Sequence, residues 1–274
     1  NRNSRNFWCN VKGIGSWSLT GHSAEELSKK FTEMQDDSEV TAGFMWQKTT
    51  RESKKYQLRG EILSFIPVDK NVEIMLVTIT NTGRMAQTVT PTAAIPLYGR
   101  SADNIRDHRH VTSLLHRIET TDTGVLVTPT LSFDERGHQV NHMTYYCVGW
   151  SGNGEKPVDF YPTAEDFVGE GGNFERPYAI VKNAEGVKAG TKIEGLEAVG
   201  GLHFSEITLE PEEECSYLIF TGITEDIQEI RNLSKTYTTR EKVLEELEKT
   251  KAYWQEKVNV AYPEIQISTS LCTG

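Results

Sequence analysis

The chain has 274 residues, 37% of them hydrophobic and 25% charged, with a formal net charge of −10. That length supports one large β domain or two small ones, and the acidic balance excludes a nucleic-acid partner, whose phosphates call for a basic field. No apolar run approaches the roughly 18 residues that a membrane-spanning helix needs, so no membrane partner is predicted either.

The chain opens on Asn1-Arg-Asn-Ser-Arg-Asn6, which is polar and unlike a secretory signal. Four cysteines, Cys9, Cys147, Cys215 and Cys272, are scattered and form no C-x-x-C pair. Cys147 and Cys215 fall in apolar runs, where a thiol acts as a small hydrophobe. Together these features predict reduced thiols in a cytoplasmic protein.

Strand-like segments dominate the first half. Residues 43–50 and 56–66 come first, followed by the β-branched run at 72–80 and a turn at Asn81-Thr-Gly83. Residues 87–95 are predicted as the hairpin partner of that run. Further strands are expected at 111–118, 125–130, 143–150, 203–209 and 216–221. Pro91, Pro96 and Pro129 suggest sheet edges or bulges rather than central ladder positions. Residues 151–201 are glycine-rich and charged, and read as a long loop with one helical turn near 163–167. The end changes character. Residues 224–235 carry Ile227, Ile230 and Leu233 at helical spacing, and Thr238-Thr-Arg-Glu241 reads as a capping box opening a helix to about residue 258. Val243, Leu247, Trp254 and Val258 share one face of that helix, widened by Leu244 and Tyr253.

The densest polar stretch is Arg100-Ser-Ala-Asp-Asn-Ile-Arg-Asp-His-Arg-His110, with three arginines, two aspartates and two histidines in eleven residues. It follows the apolar run 93–98 and a turn at Gly99, and polar groups converging at a strand end are where sites tend to sit. Arginine forks bind carboxylates, phosphates and vicinal hydroxyls in fixed geometry. The plainer reading is an Arg–Asp network locking two strands together. A metal is not predicted. His108 and His110 share a face, but no third ligand follows at a fixed spacing, and Arg106 and Arg109 repel a dication. No nucleophile elbow, P-loop or dinucleotide fingerprint occurs. In the glycine-rich region Asp159, Glu165, Asp166 and Glu170 surround Phe160, Tyr161 and Phe167. Carboxylates beside aromatic rings suit sugars, although such rings more often plug a core, as do Trp8, Trp17, Trp46 and Trp150.

Four runs together resemble the N-terminal domain of the cellobiose-phosphorylase group, glycoside hydrolase family 94. They are Phe7-Trp-Cys-Asn-Val-Lys-Gly-Ile-Gly-Ser-Trp-Ser-Leu-Thr-Gly21, residues 91–117 from Pro91-Thr-Ala-Ala-Ile-Pro onward, Leu131-Ser-Phe-Asp-Glu-Arg-Gly-His138, and residues 157–172 from Pro157-Val-Asp-Phe-Tyr-Pro onward. The β-1,2-oligoglucan phosphorylases are the nearest subgroup. The resemblance extends to about residue 269. It implies a mainly β fold: a large two-sheet supersandwich of the galactose-mutarotase type over residues 1–223, then a helical linker over 224–260. Residues 261–274 would begin the catalytic domain or form a tail, since Leu271-Cys-Thr-Gly274 does not look like the family's continuation.

In such enzymes a carboxylic acid protonates the glycosidic oxygen while inorganic phosphate, the co-substrate, attacks from the opposite face. Both groups belong to an (α/α) barrel outside these 274 residues. No catalytic residue and no cofactor is therefore assigned, and the chain alone is predicted inactive. The resemblance implies a scaffold with dimer contacts and loops rimming the cleft for a β-linked gluco-oligosaccharide. The partners it implies are that sugar, the catalytic helical domain and a second copy of the chain. Arg100, Asp103, Asn104, Arg106, Asp107, His108, Arg109, His110, Asp166 and Glu170 are the candidates for the cleft rim or domain interface. Two other readings are a mutarotase using His108 or His110 with Asp166 or Glu170, and a stand-alone carbohydrate-binding module. The first lacks the expected Asn-Pro-His stretch.

Overall fold

The computed structural model describes residues 5–99, 112–134 and 137–261. Two antiparallel sheets face each other. The smaller has the spatial order β13 (Asp159–Thr163), β15 (Ala198–His203), β7 (Gln87–Leu97), β1 (Asn6–Val11) and β2 (Gly15–Ser18), with the short β16 (Ile207–Leu209) also on β7. The larger has nine strands: β14 (Lys192–Glu194), β8 (Arg117–Thr120), β9 (Gly124–Val127), β12 (Thr144–Ser151), β17 (Glu214–Thr224), β6 (Val72–Asn81), β5 (Leu58–Phe65), β4 (Trp46–Ser53) and β3 (Asp37–Gly43). β10 (Leu131–Asp134) and β11 (Gly137–Val140) form a separate hairpin. This is the expected mainly β supersandwich, followed by helices.

Three apolar layers explain the sequence pattern. Between the sheets lie Phe7, Cys9 and Trp17 from the smaller sheet and Val77, Ile79, Cys147 and Ile219 from the larger. The outer face of the larger sheet is covered by α4 (Ile227–Thr236) and α5 (Arg240–Ala261), whose Ile230, Leu233, Val243 and Leu247 meet Ile74, Leu76, Trp150 and Phe220. The outer face of the smaller sheet is covered by α2 (Ala164–Val168) and α3 (Tyr178–Lys182), which place Phe167, Ala179 and Ile180 against Trp8, Ala94 and Tyr161. β6 therefore carries four consecutive apolar residues, Ile74 to Val77, without alternation. Its alternate residues point to opposite faces, and both faces are covered. A six-residue helix, α1 (Ala24–Lys29), caps one rim and is itself capped by Ser23, whose hydroxyl accepts from the Glu26 amide at 3.1 Å.

Several expectations are corrected. β6 and β7 are not a hairpin: β6 pairs with β5 and β17, and β7 with β1, β15 and β16. The turn after β6 is an arch between sheets. Asn81 holds it by donating to the carbonyls of Met85 (2.8 Å) and Leu209 (2.9 Å) and accepting from the Gly83 amide (2.8 Å). β6 and β7 lie in different sheets, so the chain crosses from one to the other at this point.

Pro91 lies in the middle of central β7, not at an edge. Its carbonyl accepts from Phe204 at 3.0 Å, so its nitrogen faces the interval between β15 and β16, where no ladder donor is required. The predicted strand at 203–209 is accordingly two strands with a break at 204–206. The region 151–201 is not one long loop but contains β13, α2, α3, β14 and most of β15. Gly200 and Gly201 are glycines of close approach, since a Cβ on Gly200 would stand 2.2 Å from Cys147 Cβ. Thr112 and Ser113 form a helical turn where a strand was expected, and β8 starts only at Arg117. β1, β2 and β3 were not anticipated.

Candidate functional site

Arg100, Asp103, Asn104, Arg106, Asp107, His108, Arg109 and His110 lie outside the described residues, but the flanks of their segment are described. β7 delivers the chain to Tyr98 and Gly99, and it returns at Thr112. This rim is tightly packed. A Cβ on Gly99 would stand 2.8 Å from Pro129 and 3.0 Å from His116. His116 is buried, and its Nδ1 meets the Leu196 carbonyl at 3.1 Å. Tyr98, His116, Phe174 and Glu197 enclose only about 10 Å³ of free space, which is a packed seam rather than a binding cavity.

Asp166 and Glu170 stand at this same end of the smaller sheet, because α2 begins where β13 stops. Thr163 caps α2: its hydroxyl accepts from the Asp166 amide at 3.1 Å and donates to the Asp166 carboxylate at 2.7 Å. Asp166 is exposed with one oxygen engaged in its own helix cap. Glu170 is exposed on a turn between Gly169 and Gly171, both at positive φ. Phe160, Tyr161 and Phe167 plug the core, as do Trp8, Trp17 and Trp150. Phe167 packs between Tyr161 and Phe174, each with ring centroids 5.9 Å away.

Among the described residues no group of three His, Cys, Asp or Glu side chains is arranged to hold a metal. Cys9, Cys147 and Cys215 are free thiols. Burial pushes Cys147 and Cys215 up to about 12, so they stay protonated and unreactive near neutrality.

Two features escaped the sequence reading. The first is a buried pair, His203 Nδ1 to Asp159 Oδ1 at 2.7 Å, with the Tyr161 hydroxyl 3.4 Å from the same nitrogen. Forty-four residues separate the two, and only the β13–β15 register makes them neighbours, so no local motif announces them. The second is a cleft of about 720 Å³ at the opposite end of the sandwich from Gly99. It lies between the turn after β12, the break at 204–206, the start of β17 and the start of α5.

The sequence matches the family model for the glycosyl hydrolase 94 supersandwich domain over residues 15–240. The chain belongs to this family. The matched span of the supersandwich domain contains both β7 and α2, and thus the whole packed rim around Gly99. No curated protein sequence matches the chain. Among solved structures, the supersandwich domain is similar to a bacterial glucoamylase complexed with acarbose, at 10% identity and a TM-score of 0.45 over 88% of this chain and 30% of that one. It is also similar to a polysaccharide lyase, at 11% identity and a TM-score of 0.38 over 83% of this chain and 26% of that one. It spans less than a third of the length of either structure.

Proposed function

We propose that this supersandwich domain is the non-catalytic N-terminal domain of a cytoplasmic glycoside phosphorylase. The complete enzyme converts β-linked gluco-oligosaccharides and inorganic phosphate to glucose-1-phosphate, with the β-1,2-oligoglucan phosphorylases as the nearest subgroup. In this reading residues 1–223 are scaffold and dimer contact, 224–260 link to a helical catalytic barrel, and that barrel supplies the acid and the phosphate site. The packed rim around Gly99, with Asp166 and Glu170 beside it, carries the 100–110 segment toward the substrate cleft.

The observation that carries this reading is the family match across residues 15–240. The rim at Gly99 is tightly packed, and binding constellations are held best on rigid elements. No helix among the described residues is long and apolar enough to cross a membrane.

The test is proton NMR of the purified chain with phosphate and a panel of β-linked gluco-oligosaccharides, following the anomeric signals. The expected outcome is neither glucose-1-phosphate nor accelerated anomer exchange from these 274 residues. Glucose-1-phosphate would overturn the non-catalytic reading. Fast anomer exchange alone would point to mutarotase chemistry instead.

A further inference from the structure

We propose that the cleft between the β15–β16 break and the start of α5 is a second binding site, for a neutral β-linked gluco-oligosaccharide, remote from the 100–110 rim. The choice of β-linked glucose rests on the function proposed above; the cleft and its chemistry do not.

One wall of the cleft has a cause in the sequence. Pro91 removes the donor that would face residues 204–206, so the strand leaves the sheet there and resumes only at Ile207. The cleft, of which residues 204–206 form one wall, has about 720 Å³, within the usual range for small-molecule pockets. Its walls are built rather than loose. The Ser151 hydroxyl accepts from the amides of Asn153 (3.3 Å) and Glu155 (3.1 Å). The Gly152 amide donates to the Ser216 carbonyl at 2.7 Å, and a Cβ on Gly152 would strike Ser216 Oγ. Underneath, Phe204 and Tyr217 pack with ring centroids 4.6 Å apart, and Phe7 backs Tyr217 at 5.5 Å.

The lining defines the ligand. Five carboxylates, from Glu155, Glu206, Glu213, Glu214 and Glu241, face one lysine and one arginine. Four of the five are engaged: Glu206 with Lys12 at 3.3 Å, Glu213 with the Glu210 amide at 2.8 Å, Glu214 with Arg240, and Glu241 with the Thr239 hydroxyl. The Arg240 Nε is buried with no partner among the described residues, and its Nη1 is held by Glu214. Hydroxyls from Ser205, Thr238 and Thr239 complete the wall. Acceptor-rich walls with a few fixed donors match a polyhydroxylated ligand. The excess of carboxylates disfavours phosphate, so the phosphorylated product of the proposed reaction should be rejected where the neutral oligosaccharide is held.

The experiment is a protein-observed NMR titration of this chain with sophorotriose, laminaritriose, cellotriose, maltotriose, glucose-1-phosphate and spermidine, each alone. A β-linked trisaccharide should move the amides of Asn153, Ser205, Glu214 and Thr239 saturably, while glucose-1-phosphate leaves them still. Ser205→Trp, which fills the cleft from an exposed position, should weaken binding at least tenfold with an unchanged thermal midpoint. Glu241→Gln, on the exposed first turn of α5, should weaken it severalfold. Absence of shifts at these amides would overturn the site, as would shifts with glucose-1-phosphate or with spermidine alone. Saturable shifts with maltotriose in preference to the β-linked sugars would overturn the β-glucan assignment, and with it the proposed substrate class, while leaving the cleft a sugar site.

Discussion

The two ends of the sandwich use β7 in opposite ways. Where β7 finishes, at Leu97, every neighbouring element closes in. β15 pairs alongside, α2 and Phe174 seal the outer face, and Gly99 fits only because it has no side chain. Near the middle of the same strand, Pro91 leaves a rung of the ladder unfilled, and the sheet opens into the large cleft. Packing at the first end fixes the base from which the 100–110 segment departs. At the second, the residues that leave the sheet opposite Pro91 form one wall of a cleft lined by polar groups. Tight packing and open volume therefore flank two short stretches of one strand, and substitutions at the two ends should differ sharply in their stability cost.

The largest effect is expected at the sealed end. Phe167 is fully buried among Trp8, Tyr161 and Ile180, and Phe167→Ala should cost about 3–5 kcal/mol in urea unfolding. Gly99→Ala forces a methyl against Pro129 and His116 and should cost about 1–3 kcal/mol. Thr163→Ala removes the cap of α2 and one partner of Asp166, for about 1 kcal/mol. If these three cost no more than Ser205→Trp at the cleft, the contrast between the ends fails.

Much of the fold was legible in the residues themselves. β5, β6, β12 and β17 each carry long β-branched or aromatic runs, and α4 and α5 show the helical period in Ile227, Ile230, Leu233, Val243 and Leu247. Partnership was less legible. The stretch 81–87 looks like a hairpin turn because turn residues follow an apolar run, yet whether a chain doubles back or arches to the other sheet depends on which neighbours both strands find. Gly200 and Gly201 counted toward a loop because glycine count is a local measure. Their actual role, admitting Cys147 and Tyr161 at close range, is a property of two sheets meeting. For the same reason the 204–206 break and the Asp159–His203 pair left no local trace. Of the candidate site, the sequence singled out the segments that leave the packed rim. It passed over the cleft, whose walls come from four separate stretches, none of them unusual in composition.

The smallest expected effect contrasts two glutamates. Glu25 sits on α1 with Lys29 at 2.7 Å, Lys55 at 2.8 Å and the Tyr56 hydroxyl at 2.7 Å. Partial burial pushes its carboxyl up, but the three donors outweigh burial and hold it down at about 2, against an ordinary value of 4.5. Glu241, at the rim of the cleft, is also lowered, chiefly by the Thr239 hydroxyl, but it is fully exposed. A carboxyl whose folded value lies below its unfolded one contributes stability above the unfolded value and loses it as pH falls toward the folded one. For Glu25 that window runs from about pH 4.5 down to about pH 2. Unfolding midpoints measured across this window should fall with pH, and Glu25→Gln should flatten the fall while lowering stability near neutrality. Glu241→Gln should leave the profile almost unchanged, because solvent screens the interactions of an exposed carboxylate. An equal response from the two would mean that the donors around Glu25 count for no more than one exposed hydroxyl.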